Sequence, residues 1–341
     1  MTTLTIESLR GDGRRHRREQ LVRTIFTAAA SFSIIISVLI LIVLFREAFL
    51  YLTGIKVDWP VYLQGDLPFI GVRTEFWTQT GNGVELASLW SDGWFPRRNM
   101  FDVKTLLVGS IAVTVVAMCI AVPMGLGAAI FLSEYATPKA RSVLKPIIEV
   151  LAGIPSVVLG FFALSWLAPN VVDRFFNPTS SQNLLVAGIG VGILTIPLIA
   201  SVSEDALHAV PHALREASYG VGAKKVQTVV RVVIPAALSG LVAAFIVGVS
   251  RAIGETLVVT IAAGGSGGKE FFATFPNPDL VTESGLTMTA AMATLATGSD
   301  QVVGQGPSFQ SLFFVGLVLF LITLALNAIA DRVVRRFRQV Y

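Results

Sequence analysis

The sequence predicts an all-α, polytopic membrane protein with six transmembrane helices and a long segment between the first and the second. The first observation is composition: 53% of the 341 residues are hydrophobic and only 14% are charged, whereas soluble proteins carry roughly 25% charged residues. The second is a mean hydropathy of +0.71. The third is a series of uncharged apolar runs of about 20 residues, the length that crosses the hydrocarbon core of a bilayer.

Six runs reach spanning length, and each predicts one helix. They are Thr24 to Leu44, Thr105 to Ser133, Val150 to Val172, Leu184 to Ser203, Val232 to Ala263 and Ser308 to Ala330. Two charges interrupt the fifth run. The first run is longer than the apolar region of a signal peptide, so we interpret it as a retained anchor. The run Leu286 to Thr297 is too short to span, and it predicts a re-entrant or interfacial piece.

Basic residues predict the orientation, because the loops rich in Lys and Arg stay in the cytoplasm. One side of the predicted topology holds 17 Lys and Arg in 78 residues, and the other holds 8 in 115. Both termini are therefore expected in the cytoplasm, and the basic clusters are interpreted as topogenic rather than as nucleic-acid binding. The predicted parts are a basic tail (1–23), an anchor (24–44), an extracytoplasmic segment (45–104), a five-helix core (105–330) and a second basic tail (331–341).

Two patterns that suggest a nucleotide or metal site fail on spacing. Gly268 and Lys269 lack the earlier glycine and the following Ser or Thr of a P-loop. His208 and His212 are four residues apart, but no third metal ligand is near them. We therefore expect no catalytic residue, no metal and no cofactor in this chain, which is not itself expected to be an enzyme.

The most specific pattern lies in the predicted cytoplasmic loop 204–235, where Glu216, Ala217 and Ser218 precede Gly222 and Pro235. We expect Glu216 and Ala217 to open a short helix, and Gly222 to let the chain turn away from it. The segment resembles the EAA loop of permease subunits of binding-protein-dependent ABC importers, which reads Glu-Ala-Ala, three residues, Gly, nine residues, Ile-x-Leu-Pro. The resemblance implies that these five residues couple the chain to an ATPase. The alternative is an ordinary amphipathic connection between spans.

The fifth run carries two charges, Arg251 and Glu255. At a spacing of four residues, one helix would project both side chains from the same face. A charge at bilayer depth costs at least about 2.5–3.5 kcal/mol and usually faces a bundle interior or an aqueous path. Two interpretations stay open. Either the two residues form an inert structural ion pair, or Arg251 binds an oxyanion in a translocation path while Glu255 holds its orientation.

Two segments carry a closer resemblance. The sequence Gly248-x-x-Arg-Ala-Ile-Gly-Glu-Thr256 and the run from Ala152 to Phe161, which contains Pro155 and Ser156, are similar to the permeases of phosphate ABC importers, and in particular to the PstC type. Pro155 lies inside the third run, where it would free backbone groups that can line a cavity. The resemblance therefore implies Pro155 and Ser156 as further path residues. The sister PstA type, or a permease for another oxyanion, is the alternative.

The resemblance implies a type I ABC importer permease architecture in the cytoplasmic membrane of a prokaryote. The implied partners are a PstA-like permease, two ATPase subunits that bind ATP and Mg²⁺, and an extracytoplasmic phosphate-binding protein. No nucleic acid is expected. Two other classes stay open, a secondary anion transporter and a membrane-embedded enzyme, although the former would not need the loop from Glu216 to Pro235.

Overall fold

The protein is a bundle of α-helices in a computed structural model. The structure describes residues 13–53, 79–80, 83–84, 93–95, 100–265, 267, 278–298 and 306–337. The first helix, α1 (Gly13–Thr53), extends beyond the predicted anchor at both ends. It lies against the last helix of the chain. Most of the predicted extracytoplasmic segment 45–104 lies outside the described residues.

Short strands and many helices follow α1. Two two-residue hairpins pair β1 (Gln79–Thr80) with β2 (Gly83–Val84), and β3 (Trp94–Phe95) with β4 (Met100–Phe101). The helices are α2 (Val103–Ile130), α3 (Pro138–Leu151), α4 (Ser156–Phe162), α5 (Asp173–Phe176), α6 (Leu184–His208), α7 (His212–Gly220), α8 (Lys225–Thr228), α9 (Ile234–Ala236), α10 (Leu238–Ile253), α11 (Leu257–Ala262), α12 (Met288–Thr297) and α13 (Gly306–Phe337). Wider π-helical turns continue α2, α4 and α8, over Phe131–Tyr135, Ala163–Val172 and Val229–Val233.

Five continuous helical segments in the described part of the chain are long and apolar enough to cross a membrane. They are Glu19–Phe49, Val103–Tyr135, Ser156–Phe176, Leu184–His208 and Phe309–Arg336. These segments correspond to five of the six predicted runs and confirm a multi-pass helical membrane protein.

The third span begins later than predicted. The run from Val150 was expected to be one helix with Pro155 inside it. Instead, α3 ends at Leu151 and Pro155 is the N-cap of α4. Proline is suited to a helix start because its fixed φ fits there and its missing N–H is not needed. The expectation of a proline that frees backbone groups within a span is therefore wrong.

The fifth run is broken into pieces instead of forming one helix from Val232 to Ala263. The segment Lys225–Ala236 meets α10 at an angle of 72°. Helix α10 ends at Ile253, and a new helix, α11, begins only at Leu257. The two bent pieces count as a sixth span only if they are taken together.

The short run after the fifth span forms α12, whose first turn is buried in the bundle. Met288, Thr289, Ala290 and Ala291 are at most 5% exposed. The Thr287 hydroxyl caps this helix by accepting a hydrogen bond from the backbone N–H of Ala290 at 3.2 Å. With ten residues, α12 is too short to span, in agreement with the sequence.

The centre of the bundle is the close contact between α2 and α6, which glycines make possible. A Cβ at Gly188 would lie 2.6 Å from the Cβ of Val116, and a Cβ at Gly192 would lie 3.0 Å from the carbonyl oxygen of Ala117. Small residues four apart let helix backbones approach closely in a membrane, where packing rather than the hydrophobic effect holds helices together.

The substitution Gly188→Ala is expected to destabilise the chain by about 1–3 kcal/mol, because the added methyl group overlaps Val116 and forces α2 and α6 apart. The thermal unfolding midpoint of the purified protein in detergent measures the effect. Gly127→Ala is the matched control, since a Cβ at Gly127 meets no atom within 4 Å. Equal midpoints for the two variants would contradict the close-packing argument.

Candidate functional site

The two intramembrane charges lie on either side of a helix break. Arg251 is in the last turn of α10, whereas Glu255 follows the C-cap residue Gly254 and belongs to no helix. Glycine favours such a break because it is a poor helix former. No ion pair joins Arg251 and Glu255 in the described part of the chain. The expectation that they share one helix face and pair with each other is therefore wrong. This applies both to the structural ion pair and to the role of Glu255 in orienting Arg251.

The break is stabilised by a polar side chain of α12. The Thr289 hydroxyl donates a hydrogen bond of 2.6 Å to the backbone carbonyl of Glu255. A carbonyl that loses its helical partner inside a membrane needs another donor, and Thr289 provides it. Helix α12 is held in turn by α2, because the backbone N–H of Met288 donates to the Ser110 hydroxyl at 2.9 Å. The short helix thus supports the broken one.

The charges lie at the middle depth of the bundle. A Cβ at Gly248, three residues before Arg251, would lie 2.9 Å from Ile199 of α6. On the other side of the break, a Cβ at Gly190 of α6 would lie 3.0 Å from Cγ1 of Val258 in α11. The break therefore faces the central part of α6. The Arg251 side chain is exposed there, whereas Glu255 is only 8% exposed. An exposed guanidinium at this depth requires water or a second protein chain beside it, since lipid would not solvate it.

A second polar group lies next to Arg251 in the sequence. The Ser250 hydroxyl donates to Oδ1 of Asn327 on α13 at 3.3 Å, and Asn327 is exposed. The face that carries Arg251 is thus polar on two helices. Asn327 was not predicted as a site residue, although it is the one amide in the second half of the apolar run from Ser308 to Ala330, which could have indicated it.

Pro155 and Ser156 lie at the start of α4. Pro155 is exposed and Ser156 is half-buried. One turn later, α4 packs closely against α11: a Cβ added to Gly160 would lie 3.0 Å from Cδ1 of Ile261. The structure therefore places the two residues on a helix beside the segment that follows the break, and not in contact with Arg251.

The loop between α6 and α10 contains the other candidate residues. Glu216 and Ala217 lie exposed in the middle of α7, which begins at His212, so the expectation that they open this helix is wrong. The helix ends as predicted: Gly222 has a φ of 84°. The N–H group of Gly222 donates to the carbonyl of Tyr219, and that of Ala223 donates to the carbonyl of Ser218. This pair of hydrogen bonds defines a Schellman cap.

The chain returns from the cap alongside α7. The Ser218 and Thr228 hydroxyls are 2.8 Å apart and share a hydrogen bond, which ties α7 to α8. Pro235 lies in α9, next to the 72° bend. Glu216, Ala217 and the 85% exposed Val221 therefore form a free outer surface on a loop of defined shape.

Helix α3 is attached to the end of α6 by a buried carboxylate. Glu204 is fully buried, and its two oxygens accept hydrogen bonds from Arg141 and, at 2.7 Å, from Lys145. Lys145 also bonds Asp205 at 2.6 Å. These hydrogen bonds to Asp205 and Glu204 raise the pKa of Lys145 above its ordinary value. The ammonium therefore stays charged at neutral pH, and its contribution to stability is lost only at strongly alkaline pH.

A cavity of about 630 Å³ separates α3 from α7 at this end of the bundle. Charged residues of several elements line it, among them Arg141, Lys145, Glu134 and Arg215. The last two form an ion pair of 2.7 Å, which the sequence analysis did not predict. Arg215 lies in α7 and Glu134 in the π-helical extension of α2. They are 81 residues apart in the sequence, so only the folded chain brings them together.

The fold and the loop together define an importer permease, and comparison with known proteins agrees. Residues 121–339 match the family described as binding-protein-dependent transport system inner membrane component. The match covers more than half of the chain, so the chain belongs to this family.

Particular relatives extend the match. The chain is 32% identical over 266 residues to the phosphate transport system permease protein PstC of Mesorhizobium japonicum. The match covers 73% of this chain and 78% of that protein. It is 39% identical over 186 residues to a probable ABC transporter permease protein, YqgH, of Bacillus subtilis, across 54% of this chain and 60% of that protein. A PstA 1 protein of Mycobacterium tuberculosis is 32% identical over 197 residues, 58% of this chain and 59% of its own length.

Solved structures show the same fold. A chain of a bacterial alginate ABC transporter superposes with a TM-score of 0.56 at 13% identity, over 95% of this chain and 96% of that one. A chain of the MetNI methionine ABC transporter, in an inward-facing conformation, has a TM-score of 0.53 at 20% identity, over 70% and 96%. At these identities the likeness concerns the fold.

Proposed function

We propose that this chain is one of two permease subunits of an ATP-driven importer of inorganic phosphate, of the PstC type. The observation that carries the proposal is the exposed guanidinium of Arg251 at the middle depth of the bundle, which has no ion-pair partner among the described residues. A planar, permanently charged group binds a tetrahedral oxyanion through two parallel hydrogen bonds. The relatives named as phosphate permeases supply the identity of that anion.

The exposed position of Arg251 explains why a second permease is needed. The polar face with Ser250 and Asn327 is open in the isolated chain, so we propose that a PstA-like permease covers it and completes the path. The greater length of the PstC match favours this assignment over the reverse, in which the chain is the PstA-type partner. Glu255, Pro155 and Ser156 stay proposed path residues.

The loop surface of α7 supports the coupling role. In the proposal, the α7 end of the bundle and both termini face the cytoplasm, and Glu216, Ala217, Ser218, Gly222 and Pro235 form the contact with one of two ATPase subunits. Those subunits, and not this chain, bind ATP and Mg²⁺. A phosphate-binding protein docks on the opposite side. Membership of the importer-permease family favours this proposal over a gradient-driven carrier and over a membrane-embedded enzyme.

Uptake in reconstituted vesicles tests the proposal. The complete complex, with ATP on the cytoplasmic side and phosphate-loaded binding protein on the other, is expected to accumulate labelled phosphate, and its ATP turnover is expected to rise with the loaded binding protein. If the complex transports a different oxyanion in preference to phosphate, that anion is the substrate and the assignment of phosphate is wrong. Uptake without ATP, or failure to co-purify with an ATPase, would contradict the proposal.

The substitution Glu255→Gln is expected to reduce the preference for phosphate over sulfate by about tenfold, equivalent to about 1.4 kcal/mol. The carboxylate can accept a hydrogen bond from protonated phosphate but repels sulfate, which has no proton to donate at neutral pH. Competition between the two anions during uptake measures the change, with Glu255→Asp as the control that keeps the charge. An unchanged preference in Glu255→Gln would exclude this role.

A further inference from the structure

Helix α7 is attached to the neighbouring transmembrane helices, α2 and α6, mainly through one side chain. Of its nine residues, only Arg215 is buried. The half-buried Leu214 contacts the small apolar cluster around Leu207, while Glu216, Ala217 and most of the remaining residues are exposed or half-buried. A helix with so little apolar packing would move independently of its neighbours unless a specific contact held it.

The Arg215 guanidinium makes that contact with two transmembrane helices at once. One of its terminal nitrogens donates to Oε1 of Glu134 at 2.7 Å and to the backbone carbonyl of Leu207 at 2.9 Å, and the other donates to the carbonyl of Val210. The Arg215 and Glu134 side chains are only 10% and 5% exposed. Leu207 lies in the last turn of α6, where helix carbonyls lack intrahelical partners. Lysine has the charge but not the planar fork that reaches these acceptors together.

The end of α2 contacts the loop on both sides of Gly222, through the segment before this glycine and through the segment after it. Glu134 belongs to the π-helical segment Phe131–Tyr135 that extends α2. The next residue, Tyr135, lies beneath the ammonium group of Lys225, 4.8 Å from the ring centroid. Lys225 opens α8, on the return arm of the loop. The segment before Gly222 and the segment after it therefore contact the same turn of α2.

We propose that the Arg215–Glu134 pair, here called the pivot, fixes α7 to the ends of α2 and α6, so that the three move together as one rigid body. Arg215 and Glu134 are positioning residues: they touch neither the anion nor the ATPase. The inference rests on the proposed function, because it takes α7 as the helix that the ATPase displaces. From α6 the displacement reaches the helix break, since α6 packs against α10 at Ile199 and Gly248.

Two conservative substitutions test the pivot, Arg215→Lys and Glu134→Gln. The second keeps a hydrogen-bond acceptor and the two carbonyl contacts, so the chain is expected to fold. Matched controls are Arg335→Lys and Asp331→Asn, which change an ion pair of 3.1 Å at the same end of the bundle whose side chains are 81% and 73% exposed. Exposed pairs contribute little.

The first measurement is the amount of phosphate transported per ATP hydrolysed by the reconstituted complex. Both pivot variants are expected to bind the ATPase and to keep basal hydrolysis within about twofold of the parent. The transport ratio is expected to fall about tenfold, while the controls stay near the parent value. A ratio within twofold of the parent in both pivot variants, or loss of ATPase binding in both, would overturn the proposal.

The second measurement does not depend on the transported anion. Spin labels are placed at the exposed positions Ala213 on α7 and Val115 on α2, away from the residues of the proposed ATPase contact, in a complex without other cysteines (Cys119→Ala). With the pivot intact, their distance is expected to stay constant when ATP is added, and with Glu134→Gln it is expected to change. An ATP-dependent change of the same size in the parent would overturn the rigid-body pivot. Absence of phosphate uptake by the parent contradicts the proposed function instead.

Discussion

The substitution Arg251→Gln is expected to abolish phosphate uptake while the complex still assembles. The change removes the only charge that this face of α10 offers to an anion at the middle depth of the described bundle. Hydrogen bonds to charged groups contribute about 1.5–3 kcal/mol each, so the loss of a bidentate contact of about 3 kcal/mol corresponds to at least about a hundredfold slower uptake. Initial rates of uptake into vesicles, at equal amounts of assembled complex, measure the effect.

The structure makes this variant a clean test. Because Arg251 does not pair with Glu255, its removal takes no partner away from that carboxylate, and little stability should be lost. Arg251→Lys is the control: it keeps the positive charge without the planar fork and is expected to retain partial uptake. Loss of assembly in Arg251→Gln would assign the residue a structural role, and uptake at the parent rate would remove it from the path.

The substitution Glu216→Lys is expected to uncouple the permease from its ATPase. Glu216 is exposed in the middle of α7, so the chain should fold normally. A lysine at the centre of the proposed contact, however, places a positive charge against a partner surface that complements a carboxylate, and so brings like charges together. Such a change typically costs several kcal/mol at an interface. We expect at least a tenfold loss of ATPase bound per permease, or of ATP turnover stimulated by the loaded binding protein.

A matched variant separates the contact from a general charge effect. Glu149 is an exposed carboxylate on α3, at the same end of the bundle. Glu149→Lys changes the net charge equally and is expected to leave ATPase binding and stimulated turnover near the parent values. An equal loss in both variants would mean that the surface charge, and not the α7 contact, is responsible. Normal coupling in Glu216→Lys would contradict the assignment of the loop.

Local sequence indicated five of the membrane-spanning segments and their approximate limits, because membrane insertion depends on a property of the chain itself. A run of about 20 apolar residues forms a helix in a bilayer whatever its neighbours are. The run Leu184 to Ser203 therefore predicted α6 with little error. Gly222 was predictable for a similar reason, since a left-handed turn at a helix end strongly favours glycine.

Helix breaks inside apolar runs were less accessible to sequence analysis. The spacing of Arg251 and Glu255 indicated one helix face, and hydropathy did not contradict it. The break between them is possible only because Thr289, 34 residues beyond Glu255, donates a hydrogen bond to the freed carbonyl. Pro155 shows the same limit: the residue is informative, but whether it kinks a helix or begins one depends on the packing of α3 and α4.

The sequence by itself determined the class of protein, the helices that can cross a membrane and the loop motif with its terminal glycine, because these depend on local composition and on residues close together in the chain. Only the tertiary structure decided that Arg251 is exposed and not paired with Glu255, that Glu204 binds Arg141 and Lys145, and that Arg215 joins α7 to Glu134. A buried or intramembrane charge is stable only with a specific partner or with water. Those partners come from helices that are distant in sequence and adjacent only in the folded bundle.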